Sequence, residues 1–164
     1  MKRIFEHVRM NKPKRSAFDL SHEVKTSGNF ADLLPVNTME VVPGDQVSMN
    51  TEALVRMAPT IAPIMHRVDV YIHHFFVPNR IIMPDWESFI FPTDDSGTLP
   101  SLPVVTMTNL TPPDLASDRS LWARLGLPTF DTSQLTGQFQ VNALPFRAYQ
   151  EIYNEYYRDE NLVA

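Results

Sequence analysis

Five histidines, His7, His22, His66, His73 and His74, are the side chains best suited to metal or proton chemistry in this sequence. Their spacing does not assemble a site. His73 and His74 are adjacent in a stretch that reads as a β-strand, so they point to opposite faces. His66 and His74 share parity but lie about 26 Å apart along an extended chain. Neither an HxH nor an HExxH pattern occurs, and the histidines read as structural. The acid pairs Asp94-Asp95 and Asp159-Glu160 sit among polar neighbours, without the apolar setting that would raise one pKa for acid–base work. GxSxG, GxGxxG and P-loop patterns are missing too. The sequence has no cysteine, which excludes disulfides, thiolate ligands and a cysteine nucleophile and suits a reducing compartment. The residues give no support for an enzyme, a cofactor or a metal.

Charge is the chemistry that remains. Residues 1–15 carry Lys2, Arg3, Arg9, Lys12, Lys14 and Arg15 against Glu6, a net of +5; the whole chain carries −5, so the remainder carries −10. A short basic arm on an acidic body is a layout that meets nucleic acid, and equally the composition of a solvated terminus. The six basic residues are the candidate DNA contacts.

The elements that must position these residues follow from pattern. The 164 residues suffice for one domain with a core. Fourteen prolines against five glycines disfavour long helices and favour short strands joined by shaped loops, so a mainly β protein is expected. No apolar run nears the roughly 20 residues that span a bilayer, and no apolar stretch follows Lys2 and Arg3 to make a secretory signal.

Four regions follow. Residues 1–29 read as an extended arm with isolated apolar anchors at Phe18, Leu20 and Val24. Residues 30–91 read as the first strands. Two extended pieces, 36–42 and 46–50, flank a turn at Pro43-Gly44-Asp45, with Pro43 preset for the second position and Gly44 free to take positive φ. A short helix is expected within 50–59, capped by Asn50 or Thr51 and stopped by Pro59. Residues 68–76 form the clearest strand. Val68, Val70, Ile72, His74 and Phe76 share one face, and the other face becomes apolar at Tyr71, Phe75 and Val77. Bulky groups on both faces indicate a strand covered on both sides.

Residues 92–142, rich in Pro, Ser, Thr and Asp, read as a long insertion. It would hold a short strand at Val104–Met107 and a helix within 117–128 that Ser117 or Asp118 caps, Gly126 ends and Pro128 closes; residues 129–136 read as loop. Residues 143–164 carry an amphipathic helix. Tyr149, Ile152, Tyr153, Tyr156 and Tyr157 fall at i, i+3, i+4, i+7 and i+8. A stripe of tyrosines offers large contact area with hydroxyls still able to bond, which suits an interface as well as a core. The sheet implied upstream has too few strands to close, so the chain is expected to be the N-terminal part of a longer protein.

Taken in order, "RSAFDLSH", "VVPGDQV", "PIM" before the aromatic strand, "FVPNR", "DWESF" and "LPFRAYQEIYNEYYRDENL" resemble the major capsid proteins of the Microviridae, nearest the gokushovirus-like branch. The resemblance covers about residues 15–91 and 142 onward. Two departures stand out: His73 and His74 occupy part of a run richer in phenylalanine in the family, and the chain is far shorter than the family's several hundred residues.

The resemblance implies a viral jelly-roll β-sandwich with long loop insertions and a few short helices. It implies a structural, non-enzymatic role, with many copies and other virion proteins forming a small icosahedral bacteriophage shell around circular single-stranded DNA. The shell would be assembled in the host bacterial cytoplasm, without a membrane. On this reading the basic arm faces inward to the DNA. Tyr71, Phe75, Trp86, Phe89, Tyr149, Tyr153, Tyr156 and Tyr157 become the candidate subunit-interface residues. The alternatives are a free-standing β-sandwich that binds a ligand such as carbohydrate on a platform of Tyr71, Phe75 and Trp86, and a metal-dependent jelly-roll enzyme, whose histidine spacing this sequence lacks.

Overall fold

Where apolar residues recur close to proline-shaped turns, the chain folds into short elements; where it lacks a partner, it stays open. A computed structural model describes residues 14–92, 100–109 and 111–162. Residues 14–76 carry no regular helix or strand and are almost entirely exposed. The folded part begins at residue 77 with α1 (Asn79–Ile82) and α2 (Trp86–Ile90), two single turns separated by Pro84. Strand β1 (Val104–Met107) follows, then a 3-10 turn (Pro113–Ala116), α3 (Leu121–Arg124) and a second 3-10 turn (Thr132–Gln134). Strand β2 (Phe139–Asn142) leads into α4 (Leu144–Ile152), which widens into a π-helical turn (Tyr153–Tyr157).

β1 and β2 pair antiparallel, with Val104 opposite Asn142 and Met107 opposite Phe139. A two-stranded ribbon is marginal on its own, and Trp122 of α3 packs on its Phe139. One cluster gathers Ile82, Met83 and Leu144, with Trp86, Phe89 and Ala148 packed against it. The other centres on Trp122, whose ring meets Phe130, Phe139 and Phe146 at centroid separations of 5.9, 5.9 and 6.1 Å. Helix α4 serves both: Leu144 and Ala148, one turn apart, face the first cluster, and Phe146 faces the second. The polar groups inside are paired. Trp122 Nε1 donates to the Pro128 carbonyl at 2.7 Å, and buried Thr132 donates to the Thr111 carbonyl at 2.6 Å.

Local chemistry explains the boundaries. Pro145 is tolerated in the first turn of α4, where its missing N–H costs nothing, and Asn142 Oδ1 accepts the Leu144 N–H at 2.9 Å. The cap of α3 is Ser120, whose hydroxyl oxygen accepts from Ala123 N at 3.4 Å; it replaces the expected Ser117 or Asp118, because residues 117–120 close their own turn first. The end of α3 is as expected. Gly126 takes φ +83°, its N–H donates to the Ala123 carbonyl and Leu127 N–H to the Trp122 carbonyl, a Schellman motif. Gly126→Ala keeps the space but forces a side chain into the left-handed region, and is expected to destabilise the folded part by about 1–2 kcal/mol in a thermal melt.

The Pro43-Gly44 turn forms as expected, closed by Asp45 N–H to the Val42 carbonyl at 3.0 Å with Gly44 at φ +94°. The helix expected within 50–59 does not form: Leu54 is 90% exposed, and a helix this short needs a packing surface that the described residues do not offer. Residues 68–76 likewise carry no ladder partner among the described residues. The region read as an insertion holds β1, α3, all of β2 and the Trp122 cluster except Phe146. Its loop at 129–136 contains the Thr132–Gln134 turn, held by Asp131 Oδ1 accepting from Ser133 N and Oγ, bonds that lower the Asp131 pKa.

Candidate assembly interface

Helix α4 and its π turn tie distant pieces of chain together. Arg147 Nη1 donates to the Ile82 carbonyl at 2.9 Å, and the Tyr149 hydroxyl donates to the Leu33 carbonyl at 3.0 Å. In the π turn, Arg158 N–H reaches back five residues to the Tyr153 carbonyl. That extra residue re-aims the last two tyrosines toward residues 73–75. Tyr156 packs on Phe75 at a centroid distance of 4.9 Å; Tyr157 stacks on His73 at 6.1 Å and shares a hydrogen bond between its hydroxyl and His73 Nδ1. On the other parity, His74 Nε2 meets Thr51 Oγ1 at 3.2 Å. The adjacent histidines therefore point apart, as the sequence requires, and each fastens residues 73–74 to a different neighbour.

An open groove of about 550 Å³ lies here, lined by Ile72, His73, His74, Phe75, Tyr156 and Tyr157. Tyr156 in its lining is 69% exposed, and Tyr71 and Phe76, next to the lining residues in sequence, keep 77% and 78% of their surface. Val68 and Val70 are exposed too, so the segment carries bare apolar side chains on both parities, the kind of surface that marks contact with another polypeptide.

The structure brings together Tyr71, Phe75, Tyr156 and Tyr157 from the candidate interface set, with Tyr153 exposed on the preceding turn. Trp86 and Phe89 stand elsewhere: they pack on each other at 5.7 Å and close the Ile82–Met83 cluster. Tyr149 is half-buried and bonds Leu33, just past the arm. His73 and His74 bond Tyr157 and Thr51; no spacing rule in the sequence announces a bond 84 residues long. Of the candidate DNA contacts, Lys14 and Arg15 are exposed, while Lys2, Arg3, Arg9 and Lys12 lie outside the described residues. Among the described residues no cluster of three metal-ligating side chains occurs.

Burial raises the Tyr149 pKa above the ordinary phenol value of 10.0, with Tyr153 and Asp32 adding to it and Arg124 opposing. A raised phenol favours the neutral donor, so its contribution to the fold is complete below pH 10.0 and is lost as pH rises through the higher folded value. In an ultraviolet absorbance titration of the tyrosines, Tyr149→Phe is expected to remove a late-ionising component.

The model of the family described as capsid protein (F protein) matches residues 6–164. The chain belongs to this capsid protein family. Among curated relatives, it is 36% identical over 166 residues to capsid protein VP1 of Chlamydia phage 1, covering 99% of this chain and 27% of the relative. It is 35% identical over 150 residues to capsid protein VP1 of Bdellovibrio phage phiMH2K, covering 92% and 27%. A third relative, capsid protein VP1 of Spiroplasma virus 4, is 29% identical over 159 residues, covering 96% and 28%. The chain thus spans about 27% of the length of the curated capsid proteins it matches. No solved structure matches it. Membership of the capsid family extends across the stretch from residue 92 to 142, which carries no distinctive motif of its own.

Proposed function

We propose that this chain is the N-terminal part of a structural capsid subunit, and that it acts by burying its exposed apolar face in a phage shell. The observation that carries the reading is the face at residues 68–76 with the π turn of α4: large side chains held in fixed positions by His73–Tyr157 and Phe75–Tyr156, yet open to solvent. Each large apolar side chain gains about 1.5–3 kcal/mol when fully buried, so such a face calls for a cover. The relatives' names and their greater length support a cover made of further capsid polypeptide.

On this reading residues 68–76 are a strand of a viral jelly-roll sandwich, paired with chain corresponding to the relatives' remaining length. The product is a virion shell enclosing single-stranded DNA, with other virion proteins as neighbours and assembly in the bacterial cytoplasm. The role is structural, not catalytic. The basic residues of the arm, Lys14 and Arg15 among them, neutralise phosphates without reading sequence, so their DNA binding weakens as salt rises. The carbohydrate-platform reading is less well supported, because Trp86 packs in the core cluster away from the groove that Phe75 lines.

Electron microscopy of the native material, with intact mass measured on the same sample, tests the proposal. Small icosahedral particles built from a subunit longer than 164 residues are expected. A monodisperse monomer of 164 residues without particles would overturn it.

A further inference from the structure

The arm is fastened to the folded part at a defined place. Arg124, at the end of α3, uses one guanidinium nitrogen for two acceptors: its Nη1 donates to Thr26 Oγ1 at 3.1 Å and to the Ser27 carbonyl at 2.7 Å. Seven residues on from Thr26, the Leu33 carbonyl accepts from Tyr149 on α4. Between these points the chain turns on itself at residues 30–31, where Ala31 takes φ +66°, and the Leu34 side chain folds back over Gly28. Leu33, Leu34 and Pro35 are half-buried, in contrast to the exposed stretch 14–32 before them. The two donors stand on elements that the cores hold rigid. Arg124 is two residues from buried Trp122, and Tyr149 follows Ala148, which packs on the Ile82–Met83 cluster.

We propose that Arg124 and Tyr149 form a latch for residues 26–33, fixing where the basic arm leaves the folded part. The latch reads main-chain carbonyls at Ser27 and Leu33 and one hydroxyl at Thr26, so it holds the loop by shape and not by burial of large side chains. Both donors are needed because each grips one end of the turn. The basic residues then start from a fixed point at Thr26, and Arg15 reaches no farther than about 40 Å from it. The latch stands on its own contacts and does not depend on what the arm binds.

Limited trypsin digestion of the 164-residue chain tests it, because Lys25 lies immediately before the latched loop and Arg15 lies in open chain. A protease must pull several residues on both sides of a bond out of their bonds before cutting. Cleavage after Lys25 is therefore expected to lag cleavage after Arg15 in the unsubstituted chain. In the double variant Arg124→Ala, Tyr149→Phe the Lys25-to-Arg15 ratio is expected to rise about tenfold, with Arg147 still protected. Thr26→Val, which removes one acceptor from the arm side and cannot unfold the cores, is expected to move the ratio in the same direction by a smaller factor. Equal cleavage at the two sites in the unsubstituted chain would overturn the latch. So would an unchanged ratio in Thr26→Val together with either an unchanged ratio or general cleavage in the double variant.

Discussion

Trp122→Ala is expected to unfold the folded part of the chain, at a cost of about 3–5 kcal/mol. The ring is 1% exposed, and three phenylalanine rings surround it, two from flanking chain (Phe130, Phe139) and one from α4 (Phe146). Removing it deletes the shared contact that joins α3, β2 and α4, and leaves a hole that short elements cannot collapse to fill. It also strands the Pro128 carbonyl, which loses its 2.7 Å donor. Domain stabilities of about 5–15 kcal/mol leave little reserve against such a loss. Trp122→Phe separates the effects: it keeps a ring and loses the N–H, and should cost noticeably less. Urea unfolding followed by circular dichroism checks both. A Trp122→Ala variant that unfolds within about 1 kcal/mol of the unsubstituted chain would show that the ring cluster does not hold these elements together.

That cluster was not legible in the sequence, and the reason is physical. Its residues stand singly in a stretch rich in proline, serine and threonine, without the period that marks a helix or strand face. Convergence of Trp122, Phe130 and Phe139 comes from turns, and turns leave a composition signal but no pairing signal. What was legible is local. Gly126 ends α3 and Gly44 closes the turn after Pro43, because positive φ is a demand that one residue type answers cheaply. The failed helix within 50–59 and the unpaired strand at 68–76 have the opposite cause. Both patterns specify a face to be covered, and the cover is not among the described residues. A pattern can name the element a segment is fit for; the element itself needs its partner.

The candidate interface shows the same division. The tyrosine stripe was readable, since spacing alone puts its members on one side of a helix. Its division of labour was not. The π turn breaks the stripe after Ile152: Tyr149, before it, bonds Leu33, while Tyr156 and Tyr157 meet residues 73–75. No propensity in "YNEYY" distinguishes a π turn from one more turn of α-helix; the choice follows from where the aromatic partners lie.

This division yields the sharpest test of the assembly reading. Tyr153 and Tyr156 keep much of their surface exposed, at 45% and 69%, so truncating Tyr153 removes little from the isolated chain and truncating Tyr156 removes chiefly its packing on Phe75. If they sit in a buried contact of the shell, each behaves as an aromatic anchor worth about 2 kcal/mol or more, and the concentration needed for assembly rises about thirtyfold per residue. Tyr153→Ala and Tyr156→Ala are therefore expected to keep the soluble fold and lose particles, scored by sedimentation and electron microscopy of the full-length capsid protein. Tyr157→Ala takes more from the isolated chain. It removes the hydroxyl that meets His73 and the ring stacked on it, so residues 73–75 lose one of their two aromatic supports. Tyr157→Phe keeps the ring and should retain part of the assembly that Tyr157→Ala loses. Normal particle yield from Tyr153→Ala and Tyr156→Ala would place both outside the shell contacts and move the interface to the face at residues 68–76 alone.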